Sequence, residues 1–130
     1  MKSLDTNVLA RFLLGDDPEQ EVMADSIMRS DVIVPITVLL ETAWLLAFRY
    51  GRSRGEVADV LSRVVAMSNV AVADEPRILW ALDRLRRGAD LADMFHLVES
   101  RDASCFSTFD RSLRRSAGKD APIEIETLVA

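Results

Sequence analysis

Leu4-Asp5-Thr6-Asn7-Val8-Leu9 is the stretch that decides how the chain is read. A short apolar run ends in a carboxylate, Thr and Asn follow, and a helical pattern begins. An acid at the carboxyl end of a first strand, opening a helix, stands where open α/β folds place their ligands. Three later stretches repeat the pairing of an acid with an apolar run: Leu39-Leu40-Glu41, Asp90-Leu91-Ala92-Asp93 and Thr108-Phe109-Asp110. The pattern predicts four acids converging on one divalent metal site.

Working outward, residues 2–4 allow only a minimal first strand. Thr6 to Leu14 reads as a helix with Val8, Leu9, Phe12 and Leu13 on one stripe. Gly15-Asp16-Asp17-Pro18 ends it, and Pro18 suits the first position of a helix running to about Arg29, with Val22, Met23, Ile27 and Met28 as candidates for its inward face. Asp31 to Val34 is β-rich and stops at Pro35. Thr37 to Tyr50 is a strongly apolar helix ended by Gly51, and Ser53 or Arg54 opens another to about Met67, with Val57, Val60, Leu61, Val64 and Val65 as its core face. A β-like run covers Asn69 to Ala73. Helices are expected at Glu75–Arg87, Leu91–Arg101 and Asp110–Ser116, and strands at Ser104–Ser107 and Ile123–Glu126. Strands alternating with helices or helix pairs predict a mostly parallel central sheet in a three-layer α/β/α sandwich.

The 130 residues suit one domain, 1–130, with a single core. At 49% apolar residues the chain is too hydrophobic for a disordered one. The longest apolar stretch, Val32 to Leu40, is too short to span a bilayer. Asp5 and Arg11 break the N-terminal apolar pattern, which excludes a secretory signal. The single Cys105 excludes an internal disulfide and a cysteine-rich zinc site, so a reducing cytoplasm is expected. The net charge of −5 argues against a general nucleic-acid binder. Acids that hold metal would cancel part of it locally. The cations are fourteen Arg against two Lys, and Arg recognises phosphate bidentately; a GC-rich coding sequence would produce the same bias.

Taken singly, most of the acids have plain structural readings. Asp5 and Asp110 read as helix caps. Asp90 and Asp93 resemble a cap and a first-turn acid, and the helix dipole keeps the latter ionised. Glu41 is harder to explain this way, because nearly every neighbour from Ile36 to Leu46 is apolar. Burial there would demand a cation, with Thr37 one turn away as a hydrogen-bonding partner. Together, three of the acids fall at expected strand-to-helix junctions, and Glu41 lies about a turn into the helix after another strand. Such junctions share one edge of a parallel sheet. Oxygen-only ligands suit Mg²⁺ or Mn²⁺, and the matching chemistry is attack of metal-activated water on a phosphodiester.

On these residues the chain resembles the PIN-domain family, and within it the VapC-type toxins of bacterial toxin–antitoxin pairs. The matching motifs are Leu4-Asp5-Thr6-Asn7-Val8-Leu9, Val38-Leu39-Leu40-Glu41, Gly88-Ala89-Asp90-Leu91-Ala92-Asp93 and Thr108-Phe109-Asp110, in order and with family-like spacing. The resemblance implies a metal-dependent endoribonuclease with Asp5, Glu41, Asp93 and Asp110 as its acidic quartet. Asp5 and Asp93 would ligate the metal directly. Glu41 would bind it directly or through water, and Asp110 would hold a second metal or waters. Thr6, Asn7 and Thr108 would support them by hydrogen bonds, with Asp90 behind. It further implies a homodimer, a VapB-type antitoxin whose C-terminal segment covers the pocket, and transfer or ribosomal RNA as substrate.

Arg111, Arg114 and Arg115 follow Asp110 and are candidate RNA contacts, although solvated helix ends explain most basic clusters. His96, three residues after Asp93, is more often packed or solvated than catalytic. Trp44, Phe48, Trp80, Leu82 and Cys105 read as core, with some of the aromatics able to face a partner. A Mg²⁺-dependent phosphatase or phosphoryl-transfer domain is the competing class. However, position 7 is Asn where a haloacid-dehalogenase-like site wants Asp, and the receiver-domain set of acids and a late Lys is missing. A silent binding module has no use for the clustered acids, and a non-toxin PIN ribonuclease of RNA processing is a further alternative.

Overall fold

The structure, a computed structural model, describes residues 1–130 as two compact units, Met1–Glu75 and Pro76–Ala130. In the first, β1 (Lys2–Ser3) leads into α1 (Thr6–Leu14) and α2 (Pro18–Met28). There β2 (Val32–Ile33) leads into α3 (Ile36–Trp44), a π-helical turn at Leu45–Arg49 and α4 (Arg54–Ala66), and β3 (Val70–Ala71) closes the run. Around the second unit lie α5 (Glu75–Arg86), α6 (Leu91–Glu99), β4 (Phe106–Thr108), α7 (Leu113–Ala117) and β5 (Ile125–Thr127).

Every strand pair is parallel, as the alternation requires. The first unit carries a sheet in the order β1-β2-β3, with Lys2 opposite Val32 and Val32 opposite Val70. The second carries β4-β5, with Phe106 opposite Ile125. The protein is therefore of the mixed α/β class with parallel strands and an α/β/α arrangement of layers. The strands are shorter than their β-rich runs. The sheet bonds Leu4 N–H to Ile33 O at 3.0 Å and Val34 N–H to Ala71 O at 3.0 Å carry the pairing just past the strand ends.

Local chemistry sets the helix boundaries. Asp5 has extended backbone and its carboxylate accepts from Val8 N, which fixes where α1 begins. Gly15 ends α1 at φ 62°, and its N–H donates to Arg11 O. A side chain at Gly15 would be strained by that φ and would also meet the Glu21 carboxylate at 3.0 Å. Asp17 caps α2 with Pro18 behind it, and Ser53 with Glu56 forms a reciprocal capping box on α4. Arg11, Asp16 and Tyr50 are linked: Arg11 donates to Asp16 at 2.7 Å, and Tyr50 Oη donates to the other carboxylate oxygen at 2.9 Å. Those two bonds hold the Asp16 carboxyl below the usual carboxylate pKa, with the Tyr50 hydroxyl the larger cause.

Several expectations are corrected. The helix over Thr37–Tyr50 is not uniform: after Trp44 it widens into the π-helical turn, which ends with Arg52 N–H donating to Leu46 O at 3.0 Å. The widening keeps Leu46 in the core behind Val38, Leu39, Thr42 and Ala43, while Trp44 and Phe48 face outward. Neither aromatic is core. On α2 Met28 is buried as expected, but Ala24 takes the other buried place and Val22 and Met23 are exposed, because the stripe is offset from the one that periodicity suggested. On α4, Ala58 takes the buried place expected for Val60. Leu82 is fully buried, while Cys105 and Trp80 are only half-buried. Cys105 lies just before β4 beside Ser107 and Glu126, at a strand entrance and not in its middle.

Candidate active site

In the first unit Asp5 follows β1 after Leu4, and Glu41 lies in the second turn of α3, after β2. Parallel pairing puts the carboxyl ends of β1 and β2 on one edge, which brings the two acids into the same hollow. That hollow, of about 550 Å³, is lined by Asp5, Thr6, Asn7, Glu41, Trp44, Leu45, Phe48 and Arg49. Thr6 Oγ1 donates to Glu41 Oε1 at 3.2 Å, tying α1 to α3 across the site. The expectation of a half-buried Glu41 beside Thr37 is overturned. Glu41 is exposed, its partner is Thr6, and the polar residue hidden in α3 is Thr42, at 0% exposure, whose hydroxyl donates to Val38 O at 2.7 Å. Val38, Leu39 and Ala43 point to the buried side of the helix, while Trp44 and Leu45 line the hollow with Glu41.

Each carboxylate keeps coordinating capacity. Asp5 commits Oδ1 to Val8 N at 3.1 Å, and Glu41 commits Oε1 to Thr6. The second oxygen of each takes no hydrogen bond, and both residues line the hollow. Asn7 is exposed and lines this hollow, as well as a smaller one formed with Val8, Arg11, Met23 and Ile27.

In the second unit Asp93 enters from a helix-to-helix turn, α5 to α6, and not from a strand as expected. Asp90 caps α6 by accepting from Asp93 N at 3.0 Å. Asp93 is half-buried, and burial first, then the negative charges of Asp90 and Asp110, raise its carboxyl above the ordinary 3.8; His96 acts in the opposite sense. Asp110 lies in the turn before α7 instead of inside a helix, because its carboxylate is engaged locally. Oδ1 accepts from Ser112 N at 2.8 Å and from Ser112 Oγ at 2.7 Å, which lowers its pKa. Thr108 Oγ1 accepts from Asp110 N at 3.0 Å, a supporting bond of the kind expected of it. Of the three candidate arginines, Arg114 is committed to Ile125 O at 2.6 Å, while Arg111 and Arg115 are exposed.

The sequence pattern of the PIN domain family matches residues 2–119, a span that includes all four acids and crosses from one unit into the other. The chain belongs to the PIN domain family. PIN domains are in general nucleases that use divalent metal ions and act on RNA, so this PIN domain falls in the nuclease class of hydrolases. No curated protein and no solved structure matches the chain. No helix of this PIN domain is long and apolar enough to cross a membrane.

The donor set suits a hard divalent cation. Asp5 and Glu41 each retain a carboxylate oxygen, and the acids around Asp93 push its pKa in the direction that a nearby cation would reverse. No group of three or more metal-binding side chains is drawn together ready-made in the structure. The Thr6–Glu41 bond is a support of the kind expected of Thr6, whereas sequence reasoning missed two features: the Ser112 clamp on Asp110 and the exposed Trp44–Phe48–Arg49 wall. The clamp was readable as Asp-x-Ser, and the aromatics as positions three and seven after Glu41.

Proposed function

We propose that residues 1–130 form a single PIN nuclease domain that hydrolyses RNA phosphodiester bonds at a site built from Asp5, Glu41, Asp93 and Asp110 around Mg²⁺ or Mn²⁺. The observation that carries this reading is the pairing of Asp5 with Glu41 through Thr6, at the carboxyl edge of the parallel strands, in a chain whose family match includes all four acids. Asp5 and Asp93 serve as principal ligands, Glu41 orients the attacking water, and Asp110, fixed by Ser112, completes the set. Thr6 and Thr108 hold Glu41 and Asp110, Asn7 flanks Asp5, and Asp90 fixes the helix turn that carries Asp93. When bound, a divalent cation supplies Lewis acidity toward water and phosphate. Arg111 and Arg115 contribute phosphate contacts.

The motif spacing supports a finer reading: the toxin of a VapBC-type pair, a cytoplasmic homodimer silenced by a VapB-type antitoxin and cutting transfer or ribosomal RNA. Induced expression with mapping of new RNA 5′ ends tests it. Wild type should arrest growth and create a few sharp ends, and Asp5→Ala should do neither. In vitro, cleavage should vanish with EDTA and return with Mn²⁺ or Mg²⁺. Metal-dependent cleavage without growth arrest would assign the domain to RNA processing. Phosphate release from small esters without RNA cleavage would move it to the phosphatase class.

A further inference from the structure

One wall of the hollow has no part in the chemistry proposed above. Glu41, Trp44 and Phe48 stand at helical spacings of three and four and share one face of α3 and its π-helical turn. Trp44 is 46% exposed and Phe48 83%. Both line the hollow with Asp5 and Glu41, and Arg49 follows at the rim. Single exposed apolar residues are ordinary, but two adjoining aromatics leading away from a carboxylate pair form a directed surface. π-helical turns recur at functional sites, and here the turn keeps Leu46 inside while both rings face out.

We propose that Trp44 and Phe48 form a stacking platform for unpaired RNA bases and that Arg49 holds the adjoining phosphate. The inference rests on the RNA-cleaving reading and names the residues that position the substrate beside the acids. An α-helix rises about 1.5 Å per residue, so the rings stand about 4.5 Å and about 10 Å along the axis from Glu41. A phosphate held beside Asp5 and Glu41 has its neighbouring bases within that reach. A nucleotide matches the whole lining, with π faces for the rings, an anion for Arg49 and a scissile phosphate toward the acids. An apolar protein segment would match the rings and leave Asp5, Glu41 and Arg49 desolvated without partners. The hollow's volume is within the range of about 300–1,000 Å³ usual for ligand sites. Stacking tolerates any base, so the platform sets strandedness and position of cleavage more than sequence.

The test is fluorescence anisotropy of a labelled single-stranded oligoribonucleotide with the full chain in EDTA. Trp44→Ala and Phe48→Ala should each weaken binding by roughly 5- to 150-fold. Trp44→Phe should retain most of the affinity, and Phe48→Leu, apolar but not aromatic, should bind as poorly as Phe48→Ala. An abasic ribose-phosphate oligomer should bind wild type no better than the RNA binds the alanine variants. Arg49→Ala should reduce the slope of log affinity against log salt by about 0.7. All three positions of change are solvent-facing, and thermal melts check that each variant is folded. Unchanged affinity in the alanine variants, or full affinity in Phe48→Leu, overturns the platform and assigns the face to protein docking. The nuclease reading is tested separately by metal-dependent cleavage in wild type and its loss in Asp5→Ala. Cleavage with aromatic-independent binding sinks the platform alone, and aromatic-dependent binding without cleavage sinks the nuclease reading alone.

Discussion

The acids of the first unit and those of the second are prepared in different ways. Asp5 and Glu41 are exposed, each is oriented by one hydrogen bond, and their hollow continues into an aromatic wall. Asp93 is half-buried among like charges that oppose its ionisation, and Asp110 is fixed by two bonds from Ser112 that favour its own. The first pair is held by one hydrogen bond on each side chain. The second contains one carboxylate that the fold makes expensive to charge. Where a cation binds, the second environment gains most from it, since the cation removes an existing repulsion.

The sharpest way to break this comparison is to neutralise one acid on each side. Asp5→Ala and Asp93→Asn should each reduce RNA cleavage by at least about 100-fold, given that loss of mere supporting partners at metal sites costs 10–100-fold. Their stabilities should part. Asp5→Ala removes the α1 cap and should cost about 1 kcal/mol. Asp93→Asn removes a charge that burial and Asp90 oppose, so it should raise the melting temperature of the metal-free protein at neutral pH. Calorimetry on both variants decides, and a fall in both would erase the distinction.

Next in size is Thr6→Val. It removes the only hydroxyl donating to Glu41 Oε1 and leaves the cap intact, so cleavage should drop about 10-fold with at most about 1.5 kcal/mol lost. Steady-state cleavage beside a denaturant melt measures both.

The smallest effect is on pH dependence, and the two acids of the second unit should have opposite signs. Asp93 has a raised pKa when folded, so its contribution to stability is fully present below 3.8 and is lost as pH rises through the raised value. Asp110 has a lowered pKa, so its contribution is present above 3.8 and is lost as pH falls through the lower value. Melting temperatures across the acid range should therefore keep the Asp110 slope and lose the Asp93 slope in Asp93→Asn. Ser112→Ala should flatten the Asp110 slope and leave the other.

Fold class was legible in the chain because the alternation of β-rich runs with capped helices leaves few other arrangements. Asp5, Asp17, Ser53 and Asp90 each mark a helix start that the structure keeps. The exposure of Glu41 was misread because hydropathy along a sequence does not say which side of a helix a residue occupies. Its neighbours Leu39, Thr42 and Ala43 are buried by pointing elsewhere. Trp44 lies three residues after Glu41 and shares its outward face, and Phe48 lies within a π-helical turn that a regular helical period cannot foresee. The capping pattern places Asp93 in the first turn of a helix, as the structure keeps it, but its inclusion among the strand-to-helix junctions fails because the run before it is helical.

The brevity of the strands has a consequence for how the protein unfolds. With two or three residues per strand, the sheets contain few protected amides, and most slowly exchanging hydrogens should belong to α3, α4 and α6, whose inward faces include Leu39, Leu61 and Met94. The strands act as spacers that set the helix origins in line. A substitution on the buried side of α3, such as Leu39→Ala, would thus shift Glu41 and the aromatic pair together as a single lever. Its effect on cleavage would then register as a mechanical displacement, though no catalytic atom had been touched.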